Sequence, residues 1–576
     1  MSKQSMNAAG GITRRGLFGR AGLAAIAGAA AVSLAGCGEG EQVAKAAVNP
    51  TTQRVTTPDW LGEAPEVNED EIAETIDVDV VVVGCGTGGI PAIISAAEEG
   101  VRVLGIDQQA KVSNVREDIG AIDSALQKET EKEFPQFHID KYEAMEDIVR
   151  YANGFVDYNL IKLWADESGA MVDWLTKICE RNGDFRMWHE GSIGTDNGQA
   201  RDRAWATGHS PEKLSDDKDL SFGVDLQHYA EELGAQFCFE TSLVRCEQDY
   251  LGRVTGIICR DDREQTLIRV NAKKGVILAT GGYVANNAMV EARQAWNNRL
   301  KINTAPGGSP TGDGIKAAMW CGADIDPIGC AVTFNRACCK PDETAGSDVK
   351  GKWWWFGEQP FLKVNLNGER FCNESGPYDY MLHSAFMQPD HTYVDIFDSD
   401  YVEQVRIMNE VGCCRLYPFD NGAPSNRGIE QMAADFENLE EAGYLMKADT
   451  IEELASKLNI PVDKTVESFN RYNEFARQGH DDDYNKEPYR LMELNHPPYY
   501  GIRTGCWFLC TLDGVRINTD MHAIREDGTQ IDGLFMVGND SGGFFSVSYP
   551  NLFTGLAVGR TMTFGRRAGK LAAQGK

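Results

Sequence analysis

The feature that most constrains this chain is a junction. Asp77-Val78-Asp79-Val80-Val81-Val82-Val83 passes without a break into Gly84-Cys85-Gly86-Thr87-Gly88-Gly89. A near-continuous valine run reads as a strand buried on both faces, the mark of a parallel sheet. A helical stretch, 90–100, follows the glycines, and a second strand, 101–106, ends at Asp107. A glycine pattern of this kind is weak alone. Set between a strand and a helix, with an acid closing the next strand, it specifies a βαβ dinucleotide-binding unit. Gly84 permits the tight turn, Gly86 and Gly88 belong to the backbone that approaches a pyrophosphate, and Gly89 lets the helix close on the strand. The helix N-terminus attracts phosphate charge, and Asp107 can hold a ribose hydroxyl.

At 576 residues the chain is too long for one simple core, so two or three domains are expected. Two later segments repeat the strand-to-turn theme. Gly275-Val276-Ile277-Leu278-Ala279-Thr280-Gly281-Gly282-Tyr283 is a strand ending in small residues. Gly533-Leu534-Phe535-Met536-Val537-Gly538-Asn539-Asp540 is another, followed by Gly542-Gly543 and a helix from about residue 554.

The motifs at 84–89 and 279–282 continue with Thr311-Gly312-Asp313-Gly314, Gly368-Glu369-Arg370-Phe371 and Asn373-Glu374. Lys447-Ala448-Asp449-Thr450-Ile451-Glu452-Glu453-Leu454 and the closing Gly538, Gly543 and Phe564-Gly565-Arg566 complete the set. Together they resemble the flavoprotein family of soluble fumarate reductases, urocanate reductase-like enzymes and 3-ketosteroid dehydrogenases, from Asp77 to Ala573. The resemblance implies an α/β fold: a split, Rossmann-like (GR2-type) FAD-binding domain, 77–329 and 509–576, with an inserted α+β capping domain, 330–508. It implies FAD, held non-covalently because the family's covalent-flavin histidine motif is absent. The cofactor residues it implies are Gly84, Gly86, Gly88, Gly89, Asp107, Thr280, Gly281, Gly282, Gly538 and Asn539. To these it adds Asn114 and Gly120 lining the flavin, Asp313 at the adenosine end, and the backbone of Ala557 and Val558 near the ring. Two departures stand out: Asn539 occupies a position that is usually Glu, and 115–119 reads Val-Arg-Glu-Asp-Ile where small residues are commoner.

The fumarate-reducing branch grips two carboxylates with arginines and histidines and donates the proton from an arginine. By the same resemblance, Tyr378 stands at the acid arginine, Leu509 and Cys510 at the paired histidines, and no Lys or Arg occurs between Gly538 and Arg560. Phe544, Phe545, Tyr549 and Pro550 fill that stretch instead. Fumarate and succinate would leave buried charges unpaired there, which is costly. Trp353-Trp354-Trp355-Phe356, with alternate side chains turned inward, points to an aromatic-walled pocket in which Trp355 faces the substrate and Tyr549 joins it. Flat, largely apolar substrates suit such walls: hydroxycinnamates, polyphenols, steroid enones. The expected chemistry is an ene-reduction, with hydride passing from reduced flavin to the electron-poor carbon of an activated C=C. Tyr378 supplies the proton, since a tyrosine with its ordinary pKa of about 10 is protonated at working pH. Run backwards, the same site is a ketosteroid dehydrogenase-like desaturase. A flavin electron carrier without catalysis is the reading of another class, motivated by the replaced arginine.

The first residues are a targeting segment. Thr13-Arg14-Arg15-Gly16-Leu17-Phe18 is a twin-arginine pattern, followed by a mild apolar run, 21–36, too short and weak for a confident membrane span. Leu34-Ala35-Gly36-Cys37 resembles a lipoprotein cleavage box with Cys37 acylated. The sequence therefore predicts export by the twin-arginine route and lipid anchoring at the outer face of the cytoplasmic membrane or in the periplasm, with 38–76 an acidic linker. The net charge is −30 although residues 1–37 hold four basic residues and no acid. Such a surface repels nucleic acid. With no haem-attachment motif, electrons are expected from a membrane-linked donor, a quinol or a cytochrome. The fifteen cysteines read as buried thiols rather than a disulfide framework. The histidines lack ligand spacing, so no catalytic metal is expected, and Asp481-Asp482-Asp483 reads as a solvated acidic turn.

Overall fold

The computed structural model describes residues 58–112, 115–191, 204–304, 310–346, 349–408, 416, 422–423 and 428–576. The twin-arginine segment, Cys37 and Asn114 lie outside them.

The valine run is the centre of the first sheet. Strand Ile72–Val83 lies parallel between Val103–Ile106 and Leu267–Leu278, and Val80, Val81 and Val82 are fully buried. Gln530–Met536 adds on parallel beyond Leu267–Leu278. The registers Val83↔Ile106, Val83↔Leu278 and Met536↔Leu278 end four strands on one line. Gly84, Asp107, Ala279 and Val537 therefore leave the sheet together at its carboxyl edge, where open α/β sheets bind ligands. Among the described residues this sheet has eight strands, drawn from 72–278 and from 522–536.

Helix Gly89–Glu98 and helix Leu556–Gln574 close one face. The contact is made by missing side chains: a Cβ on Gly565 would stand 2.2 Å from the Gly88 carbonyl oxygen, and one on Gly569 would stand 2.1 Å from that of Ala92.

The second sheet, seven strands among the described residues, is organised on the long strand Tyr499–Thr511. Ala331–Cys339, Tyr393–Phe397 and Leu445–Ala448 pair with it antiparallel and Lys301–Thr304 parallel. The sheet thus takes its first strand ahead of the expected boundary at 330 and its central strand past 508. That overrun carries Leu509 and Cys510 towards the first sheet.

Behind the second sheet, Trp354, Phe356, Phe361, Phe397, Phe436 and Tyr500 form one aromatic core of stacked, tilted and edge-on rings. Buried ion pairs run beside it. Lys363 Nζ meets Asp395 Oδ1 at 2.6 Å with both side chains fully buried, and Arg370 bridges Glu374 and Asp481. The acidic turn is therefore only half solvated, since Asp481 is buried and holds Arg370 while Asp482 and Asp483 face water. The twelve cysteines among the described residues are free.

Candidate active site

A cleft of about 390 Å³ runs from the carboxyl edge of the first sheet to the second sheet. Gly84, Gly86, Gly88 and Asp107 line it at one end, and Trp355, Tyr378, Leu509, Cys510 and Tyr549 line it with them. Thr280, Gly281, Gly538, Asn539, Ala557 and Val558 complete the contribution of the residues expected from sequence. Asp313 lies apart, in a neighbouring cavity of about 50 Å³ shared with Gly84, Asp107, Thr241 and Thr311.

Each nucleotide-side element is where its chemistry requires. Gly84 has φ +94, and a Cβ on it would stand 2.3 Å from the Ala279 carbonyl oxygen, so the turn admits only glycine. A Cβ on Gly89 would stand 1.7 Å from the Gly84 oxygen. Asp107 accepts from the Cys85 N–H at 2.7 Å and the Gln109 N–H at 2.8 Å. It ties the glycine turn to the second strand and keeps a lone pair on each oxygen for a ribose. Burial pushes its carboxyl up from the ordinary range. Two helix N-termini, at Gly88 and Gly555, line the same cleft and aim backbone N–H groups at an anionic or carbonyl ligand. The cleft, the small side cavity and the two helix ends fit an extended dinucleotide.

Gly120 and Gly282, expected at the cofactor, serve the backbone instead, while Gly89 does what its place in the motif requires. Gly89 holds the helix against the strand. Gly120 donates its N–H to the Gly555 oxygen at 2.8 Å, and a Cβ on it would strike Gly555 and Leu556, so it seats the C-terminal helix rather than lining the cleft. Gly282 donates to Asp540 Oδ1 at 2.9 Å.

Asp540 is a residue that sequence reasoning missed. Fully buried, it takes the Thr280 N–H, the Thr280 hydroxyl and the Gly282 N–H, locking the 279–282 turn to the 538–540 turn. Burial raises its carboxyl to about 6. Arg560 fixes the same turn from below, donating to the Gly538 and Ser541 carbonyl oxygens at 2.7 Å each. The only sign of either in the sequence is an acid in a glycine turn and an arginine in the first turns of the helix that follows.

The opposite wall is aromatic. Tyr378 opens helix Tyr378–Phe386 directly after Pro377, is 2% exposed, and meets the Phe334 ring edge-on at 4.9 Å. The tryptophan run alternates as expected: Trp353 and Trp355 line the cleft, whereas Trp354 and Phe356 are core. Trp354 donates from Nε1 to Asp395 at 3.0 Å. The Cys510 thiol, pushed up to about 11 by burial, is hydrogen-bonded to the Asn539 side chain. The Tyr549 hydroxyl accepts from the Ala557 N–H at 3.2 Å.

One cation stands in this wall that the sequence did not reveal. Arg336 lines the cleft, pairs with buried Glu358 at 2.6 Å, and lies 4.6 Å from the Trp355 ring and 4.8 Å from that of Phe334. Phe334 and Arg336 are two apart on one strand and so share a face. Glu358, twenty-two residues on, could not be matched to Arg336 from the sequence. Two guanidiniums line the cleft. That of Arg336 is neutralised by Glu358, whereas Arg116, exposed and close enough to Cys510 to act on its thiol, has no carboxylate partner among the described residues. A dicarboxylate therefore meets one open cation rather than a pair of clamps among the described lining residues.

Residues 79–551 match the model of a family described as an FAD binding domain. Vinyl phenol reductase of Lactiplantibacillus plantarum is 28% identical over 507 residues, covering 87% of this chain and 98% of that protein. A 3-oxosteroid 1-dehydrogenase of Mycobacterium tuberculosis is 31% identical over 352 residues, 54% of this chain and 56% of that one. The fold matches the open conformation of a flavocytochrome c3 fumarate reductase with a TM-score of 0.62 at 21% identity, over 91% of this chain and 84% of that one.

Proposed function

This chain belongs to the FAD binding domain family and is an FAD-dependent oxidoreductase acting on C=C or CH–CH bonds, and from that premise we propose an ene-reductase of aromatic alkenes. One observation carries the reading: a single cleft holds both the glycine cradle and an aromatic wall of Phe334, Trp353 and Trp355 around Tyr378. FAD, when bound and reduced, supplies the hydride. The protein's own groups do the rest. The aromatic faces stack a flat substrate and exclude water, and Tyr378 holds a proton at its phenolic oxygen for the carbon that hydride does not reach. The saturated product gains one hydride and one proton, and Tyr378 is recharged from solvent. The neutral Arg336–Glu358 pair favours uncharged aromatic groups over dicarboxylates. The similarity to a vinyl phenol reductase supports the same class.

Export by the twin-arginine route, an acyl anchor at Cys37 and electrons from a quinol or cytochrome donor belong to this proposal. A desaturase acting on a steroid ketone is the second reading, favoured by the similarity to a 3-oxosteroid 1-dehydrogenase.

The test is anaerobic. The bound flavin is reduced with a dye, and its reoxidation is followed on adding vinyl phenols, hydroxycinnamates, steroid enones, urocanate or fumarate. Reoxidation by aromatic alkenes and not by fumarate is expected. Reoxidation by fumarate alone overturns the reading, and oxidised-dye-dependent desaturation of a steroid with silence across the alkenes selects the second one.

A further inference from the structure

Asn551 is 1% exposed and lines the cleft, and neither its Oδ1 nor its Nδ2 has a hydrogen-bond partner in the protein. Among the described residues it is the side-chain amide with both ends in this condition. Buried amides are almost always satisfied, because an orphaned donor or acceptor forfeits its bonds to water and gains none in return. A residue orphaned twice, on the wall of a ligand cleft, is waiting for the ligand.

The neighbouring backbone is held. The Asn551 N–H donates to the Tyr549 oxygen at 2.8 Å, and the next carbonyl, that of Leu552, accepts from the Trp205 N–H at 2.8 Å. Upstream, Ser548 Oγ donates to the Tyr151 oxygen at 2.9 Å. Val547, β-branched, is kept at φ +64, a conformation that persists only where its surroundings impose it. The segment is built to present its side chains at fixed positions, and Tyr549 and Asn551 both reach the cleft.

We propose that Asn551 is a ligand-recognition residue, donating from Nδ2 to an acceptor and accepting at Oδ1 from a donor on a bound molecule. This rests on the reading that the cleft holds flavin and an aromatic alkene. A carboxamide is matched by a donor and an acceptor side by side. The imide edge of the flavin ring offers that pair on adjacent atoms, and a phenolic hydroxyl offers it on one oxygen.

The test uses the full chain with Asn551→Leu, which removes both bonding groups, and Asn551→Asp, which keeps the shape and loses the donor. The first readout needs no turnover. Apoprotein carrying Asn551→Leu is expected to melt at or above the wild-type temperature, because the orphan is gone. A purely structural amide would instead lower the apoprotein melting temperature in both variants, and that result overturns the proposal. If the partner is the flavin, FAD dissociates at least ten-fold more readily and the midpoint potential shifts in Asn551→Asp. If it is the substrate, both flavin readouts stay at wild type while KM rises about ten-fold for a vinyl phenol and not for its dehydroxylated analogue. Wild-type values throughout sink the inference and leave the ene-reductase reading intact. A wild-type protein that binds no FAD and reduces no alkene removes both.

Discussion

The two sheets solve the problem of holding a ligand in opposite ways. At the first, the cradle is made by leaving atoms out: Gly84, Gly89, Gly120 and Gly555 let backbone meet backbone, and few side chains intervene. At the second, the wall is made by adding them: stacked tryptophans, phenylalanines and fully buried ion pairs. A missing Cβ has no substitute, so the first region is intolerant and its sequence rigidly patterned. Aromatic and ionic contacts can be exchanged for others of similar volume, so the second region is the more tolerant of substitution.

The sharpest way to break the comparison is at Gly89. Gly89→Ala puts a methyl within bonding distance of the Gly84 oxygen. Complete loss of flavin absorbance from the purified protein is expected; a yellow variant would show that the cradle yields. Next in size is Tyr378→Phe, which should keep the flavin and lower turnover by roughly 10²–10⁴-fold. Turnover near wild type would return Tyr378 to the status of packing.

Arg370→Ala probes whether the second sheet depends on its buried charges. It takes the guanidinium from buried Asp481 and leaves Glu374 only the longer pair to Lys486, for which about 3–5 kcal/mol of destabilisation is expected. The melting temperature of the holoprotein reports it, and an unchanged value would mean that water reaches these groups. A smaller effect separates the two faces of the tryptophan run. Trp355→Ala should raise KM about ten-fold, a loss near 1.4 kcal/mol, with melting unchanged. Trp354→Ala should do the reverse, lowering stability and sparing KM until the fold fails.

The last effect is electrostatic. Burial raises Asp326 and Asp379 to about 7 and Asp540 to about 6. A carboxyl whose pKa is higher folded than unfolded binds more protons in the folded state between the two values. Stability from these groups is therefore full below about pH 4 and declines as pH rises towards 7. Asp326→Asn should flatten that decline, as measured by melting temperature against pH. A slope unaltered by the substitution would exclude Asp326 as a contributor.

How much of this was legible differs by region for the same reason. The glycine turn, Asp107, the 279–282 and 538–540 turns and the face of the tryptophan run could be read because each is a local pattern with a steric or periodic cause. Tyr378, Leu509 and Cys510 were reached only by resemblance, and the structure brings them into one cleft. Gly120 and Gly282 show the limit of that route. The sequence says that a small residue is needed, not whether a ligand or another stretch of backbone fills the space. Asp540, Arg336 and Asn551 escaped altogether, since each takes its meaning from atoms 22 to 260 residues away or from the lack of any partner.

Sequence alone determined the parallel valine core, the dinucleotide turn and the aromatic character of the second wall, because strand burial, positive φ and side-chain alternation are set within a few residues. The tertiary structure decided which of those side chains face the cleft together. It also decided that Arg336 among them is neutralised and that one amide is left without a partner. Those are properties of long-range juxtaposition, and no local pattern encodes them.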